Sequence, residues 1–153
     1  MSDRFMMEAI KQAKKAWDID EVPIGCVIVK NGKVIARGYN RRNIESSVLG
    51  HAELAAMKKA SKKLGDWRLE GCTMYVTLEP CLMCAGLMVN ARIDRCVYGA
   101  PDPKGGALGT LYDVSHDPRL NHEFEVTGGV LAEEAAGQLR GFFRARRVAR
   151  RSE

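Results

Sequence analysis

Two short motifs in this chain bring together residue types that do metal and proton chemistry. They are His51-Ala52-Glu53 and, thirty positions on, Pro80-Cys81-Leu82-Met83-Cys84. Each is predicted to open a helix, where unpaired backbone N–H groups and the positive end of the helix dipole favour thiolates and hence metal binding. Cys81 and Cys84 stand three residues apart, so on a helix both thiols leave the same face. His51, contributed by the other helix, would complete a three-ligand set. Zinc held by three protein ligands keeps its fourth tetrahedral position for water, the arrangement of a catalytic rather than a structural site. One neutral imidazole and two thiolates cancel the charge of the metal. Water activated there needs a proton carrier, and Glu53 stands two residues from His51. Singly, these residues have blander readings: Cys-x-x-Cys as a redox pair, a histidine satisfied in the core, a glutamate solvated on a helix. Their occurrence together and in this order favours one zinc per chain on His51, Cys81 and Cys84, with Glu53 as the catalytic residue.

Periodicity indicates the elements that must position these motifs. Met6, Met7, Ile10, Ala13 and Trp17 recur at helical spacing and predict an amphipathic helix over about 4–17. Val22–Val29 and Val34–Tyr39 are β-rich runs joined by Lys30-Asn31-Gly32-Lys33. Asn-Gly supplies the two positive-φ residues that a tight hairpin turn prefers. A polar stretch from Asn40 to Gly50 leads into an Ala-rich helix over about 51–63. Thr73–Leu78 reads as a short buried strand, stopped at Glu79-Pro80 because proline cannot donate to a ladder. Further elements are a helix over about 81–90, a strand over about 95–98 and a weak strand over about 124–126. Between those strands, about 99–122 is loop-rich with one short helix near Leu111. A final helix covers about 131–149, its basic segment running on to about 151. This order specifies an α/β fold, a three-layer α/β/α sandwich around one mixed five-stranded sheet.

At 153 residues the chain is read as one domain, 1–153. Apolar residues at 46% and charged residues at 28% are near globular averages and exclude disordered, collagen-like and fibrous classes. No apolar run approaches the ~18 residues that suggest a membrane span. The charged stretch Met1–Asp18 lacks the apolar core of a secretory signal. A cytoplasmic protein with no membrane partner is expected. Its five cysteines are then reduced, and a pair at ligand spacing reads as metal-binding before disulfide. Cys26, Cys72 and Cys96, on or beside predicted strands, read as inert core thiols. A net charge of +5 permits a polyanionic partner without demanding one.

The H-x-E…P-C-x-x-C pattern resembles the signature of the zinc nucleobase deaminases. Glu21-Val22-Pro23-Ile24-Gly25-Cys26, Trp67-Arg68-Leu69, Tyr75-Val76-Thr77-Leu78-Glu79-Pro80-Cys81, Ala91-Arg92-Ile93 and Phe142-Phe143 extend the likeness over most of the chain. These segments resemble bacterial tRNA adenosine deaminases. The resemblance implies a cytidine deaminase-like fold, a homodimer, and hydrolytic conversion of the anticodon wobble adenosine of tRNA to inosine. Water then attacks C6 of adenine while Glu53 carries its proton to ring N1 and helps protonate the departing ammonia. The same resemblance implies the backbone amide of Cys81 as a donor near the reacting oxygen, and Asn40, Asp102 and Phe143 as substrate-binding residues. Read without it, Asn40 is also a turn residue closing a strand and Asp102 a solvated loop carboxylate. Ser47-Val48-Leu49-Gly50 departs from the D-P-T-A-like run many members carry there, which leaves substrate details at the pocket mouth open.

Arg140, Arg144, Arg146, Arg147, Arg150 and Arg151 crowd the last helix around Phe142 and Phe143. Between a solvated cationic helix end and a contact for RNA phosphates a mixture is favoured, with the phenylalanines partly core or pocket wall and the arginines at least partly RNA-facing. Two other functions compete with tRNA editing. One is deamination of a free base or nucleoside of guanine or cytosine type; the other is an RNA-binding module with a structural zinc. Glu53 argues against the structural site, while the basic tail and the extent of the resemblance argue against a free base.

Overall fold

The computed structural model describes residues 2–151. Helix α1 (Ser2–Asp18) places Phe5, Met6, Ala9, Ala13 and Ala16 on one buried stripe, none more than 7% exposed. The hairpin follows as β1 (Gly25–Lys30) and β2 (Lys33–Tyr39), closed by Asn31 at φ 53° and Gly32 at φ 74°. These are the two left-handed residues the turn requires. Then come α2 (Ala52–Leu64), β3 (Cys72–Leu78), α3 (Leu82–Asn90), β4 (Arg95–Ala100), β5 (Glu125–Thr127) and α4 (Ala132–Arg151). The sheet order is β2-β1-β3-β4-β5, antiparallel from β2 to β3 and parallel from β3 to β5. The expected mixed sheet of five strands is what forms.

Alternation along the strands divides the core into two layers, because successive side chains leave opposite faces of a sheet. Cys26, Ile28, Met74, Val76 and Cys96 pack on one face with Ala56 and Met57 of α2 and Ala85 and Met88 of α3. Val27, Val29, Tyr75 and Val97 pack on the other with Phe5, Met6 and Ala9 of α1. Helix α4 joins the α1 layer. Trp17 and Phe142 meet edge to face at 5.5 Å, and Gln138 Nε2 donates to Ile10 O at 3.3 Å.

Two glycines set how closely the helices approach. A Cβ on Gly25 would lie 2.0 Å from Ala9 O, and one on Gly38 would lie 2.4 Å from Ala52 O. The second contact seats the start of α2, and with it His51, directly against the sheet. Any larger residue there would push that helix end away.

The structure departs from the sequence expectations at several boundaries. Strand β1 begins at Gly25 rather than Val22, since Pro23 offers no N–H and Ile24 N turns back to Val22 O at 2.9 Å. Strand β4 runs two residues further than expected, to Ala100. No helix forms near Leu111. The segment is instead a tight loop in which Leu111 N and Tyr112 N both donate to Gly106 O, with a bridge between Leu108 and Asp113. Gly109 at φ 134° is incompatible with helix.

Candidate metal centre and cavity

His51 and Cys81 lie one residue outside the helices they were expected to begin. Each is an N-cap in extended conformation, His51 before α2 and Cys81 before α3, and neither side chain caps its helix. The imidazole and thiol are therefore left for other partners. Cys84 sits in the first turn of α3 and is fully buried. The two helix starts meet: His51 Nδ1 is 3.8 Å from Sγ of Cys81 and 3.6 Å from Sγ of Cys84. All three ligand atoms lie within 4.8 Å of one another. Tetrahedral zinc, with bonds of about 2.3 Å to sulfur and 2.0–2.1 Å to nitrogen, requires S···N edges of about 3.6 Å. The residues present fit such an ion in both donor type and spacing.

Charge at the site follows from its surroundings. The Cys81 thiol is drawn down to about 3, first by the hydrogen bond it receives from the Cys84 thiol and, against opposing burial, by His51. His51 is raised, mainly through that hydrogen bond to Cys81. The positive ends of α2 and α3 favour negative charge at the same point. Glu53, in the first turn of α2, is 4% exposed. Burial pushes its carboxyl up to about 7, with bonds to its own backbone and to the Cys84 thiol and the His51 charge pulling the other way. Cys26, Cys72 and Cys96 are all buried in the core, Cys72 at the start of the central strand β3. Burial raises all three thiols, so they stay protonated.

The cluster opens into a cavity of about 670 Å³ whose lining includes His51, Glu53, Cys81, Asn40, Asp102 and Phe143. That volume lies within the roughly 300–1,000 Å³ of small-ligand pockets. Every site residue expected from the sequence except the fully buried Cys84 thus faces one space. Asn40 is also the turn residue its position suggested: Oδ1 accepts from Arg42 N at 3.1 Å, and Nδ2 donates to Val22 O at 3.2 Å. Of the two phenylalanines, Phe142 is 2% exposed and belongs to the core, whereas Phe143 is 44% exposed and turns to the cavity. Arg140 lines the same wall and pairs with Glu133 at 2.6 Å.

Two residues that sequence reasoning passed over matter to this site. Glu21 is 1% exposed and accepts from Asn43 N at 3.2 Å and Ile44 N at 2.8 Å. Glu79 is 2% exposed and accepts from the loop that follows β4. A glutamate at a strand or loop boundary is ordinarily solvated, so residue type gave no signal.

A family model described as MafB19-like deaminase matches residues 1–147. The chain is 54% identical over 140 residues to a tRNA-specific adenosine deaminase of Bacillus subtilis (strain 168), covering 92% of this chain and 87% of that protein. It is similar to a solved structure from work on A-to-I editing by tRNA:A34 deaminases at the wobble position of transfer RNA. The TM-score is 0.85 at 44% identity, over 88% of this chain and 98% of the other. The solved guanine deaminase of Bacillus subtilis is a more partial match, with TM-score 0.61 and 36% identity over 64% of this chain and 63% of that one.

Proposed function

We infer that this chain, which belongs to the MafB19-like deaminase family and to its tRNA-specific adenosine deaminases, converts adenosine to inosine at the anticodon wobble position of tRNA. One observation carries the reading: two helix N-termini bring His51, Cys81 and Cys84 within ligand distance beside buried Glu53. The extent of identity to tRNA deaminases supports the choice of substrate over a free base.

His51, Cys81 and Cys84 would hold one zinc ion, which when bound supplies Lewis-acid activation of a water. The chain's own residues do the rest. Glu53 takes a proton from the attacking water as its oxygen bonds to C6 and delivers it to ring N1, then takes the second proton from the new C6 hydroxyl and gives it to the amino group as the C–N bond breaks. Adenosine and water are consumed; inosine and ammonia leave. Asn40 has a second amide hydrogen with which to hold the nucleoside, beyond its bond to Val22. Phe143 offers an exposed ring for stacking, and Asp102 stands on the opposite loop. The backbone N–H of Cys81, at a helix start, is suited to a developing negative oxygen.

Lewis-acid chemistry on a flipped base wants walls that a neighbouring subunit can supply, and a homodimer is part of this reading. No helix among the described residues is long and apolar enough to cross a membrane, and tRNA as substrate agrees with a cytoplasmic location. The deciding experiment is ammonia release and inosine mapping with purified protein. A tRNA anticodon stem-loop should be converted at the wobble position, and free guanine, cytosine and nucleosides should not. Preference for a free base would overturn the reading, and sedimentation of the same sample as an active monomer would remove the dimer.

A further inference from the structure

Glu79 lies at the end of β3, between that strand and Cys81, and its two oxygens are filled by one segment of chain. Oε1 accepts Asp102 N–H at 3.0 Å and the Thr110 hydroxyl; Oε2 accepts Leu108 N–H at 3.0 Å and Thr110 N–H at 3.1 Å. An ionised carboxylate offers about four lone-pair sites, so none is left to take a proton from a substrate. Backbone bonds flank it, from Glu79 N to Ala100 O and from Ala107 N to Pro80 O, both 2.9 Å. Gly106 leaves the space the carboxylate needs, since a Cβ there would lie 2.4 Å from Glu79 Cδ and Oε1. The segment held in this way supplies Pro101, Asp102, Pro103 and Lys104 to the cavity wall.

We propose that Glu79 is a positioning residue, which sets the place of the 101–104 wall relative to His51, Cys81 and Cys84 and so governs how substrate RNA is held. The proposal rests on the nucleic-acid deaminase reading above. Four directional bonds to a buried charge define a position, whereas apolar packing would tolerate sliding. The three ligands and Glu53 sit at the N-caps and in the first turns of α2 and α3 rather than on this segment. Loosening the wall therefore weakens binding more than it slows chemistry.

Two variants test this. Glu79→Gln keeps the shape but turns an amide NH₂ toward donors it cannot accept. Thr110→Val, at an exposed position, removes only the hydroxyl donor and keeps the backbone N–H bond to Glu79. Metal content, amide hydrogen exchange across 102–110, and kcat and KM on an anticodon stem-loop are measured for both. Glu79→Gln should retain its metal, and the amides of Asp102, Leu108 and Thr110 should exchange about 10- to 100-fold faster, in keeping with hydrogen bonds lost from a charged acceptor. Its KM should rise about tenfold with kcat within about threefold, the pattern of lost binding rather than lost chemistry. Thr110→Val should shift KM in the same direction by about two- to fivefold. Unchanged exchange in Glu79→Gln, a fall in kcat at constant KM, or loss of metal would each overturn the proposal. Should Glu79→Gln fail to fold, Thr110→Val decides alone. Failure of the unmodified protein on the stem-loop would sink the functional reading instead, and the exchange data would still decide whether Glu79 holds the wall.

Discussion

At the floor of the cavity, His51 and Cys81, with Cys84 buried behind them, are placed by the starts of two helices seated on the sheet. At the rim, backbone N–H groups of two loops hang from buried carboxylates, Asn43 and Ile44 from Glu21, and Asp102, Leu108 and Thr110 from Glu79. The floor takes its precision from regular elements, whose spacing is repetitive and locally encoded. The rim has no ladder of its own and takes its shape from single acceptors far away in sequence. A chemical centre that must hold a metal can be built the first way. A wall that must fit one substrate can be altered cheaply when it is built the second way.

That contrast makes floor variants lose chemistry and rim variants lose binding. The largest effect should come from Cys81→Ala with Cys84→Ala. Zinc content by elemental analysis should fall from about one per chain to none, because a lone histidine cannot hold the ion, and deamination should vanish with it. Full zinc in that double variant would break the comparison at its floor.

Glu53→Ala should come next. Zinc and thermal unfolding should stay close to the parent, while kcat drops at least ~10²-fold, the typical contribution of a positioned proton carrier. A near-normal rate would put the proton transfer on another group.

The smallest effect sharpens the rim. Arg146 is engaged with Asp20, donating to its carbonyl at 3.4 Å, and lies over the Phe142 ring at 5.5 Å. Arg144, Arg147, Arg150 and Arg151 are exposed on the outer part of α4. Changing those four to Gln should raise KM for RNA and flatten the dependence of log KM on log salt by about 0.7–0.9 per lost phosphate contact. Titration of KM at two salt concentrations settles it; an unchanged slope leaves them as a solvated helix end.

The floor was legible in the sequence. His-x-Glu and Cys-x-x-Cys each mark a helix start, and their residue types restrict the chemistry to soft ligands and a carboxylate. Periodicity likewise located α1, the Asn31-Gly32 hairpin and the order of strands and helices, because side-chain burial repeats every two residues or every 3.6. The rim was not legible. In the sequence Glu79 reads only as the stop of a strand and Glu21 only as part of a family-like segment, since residue type does not reveal which N–H groups will converge on a carboxylate.

What this sequence determined alone was the candidate cluster of His51, Cys81 and Cys84, the nearby Glu53 and the elements that carry them, all properties of short windows. Only the tertiary structure decided that His51 and Cys81 are N-caps facing each other, and that the loop after β4 folds around Glu79 instead of forming a helix. Each depends on contacts between segments distant in sequence. The close approach of α2 at Gly38 and the convergence of three N–H groups on one buried carboxylate exist only once the sheet has brought those segments together.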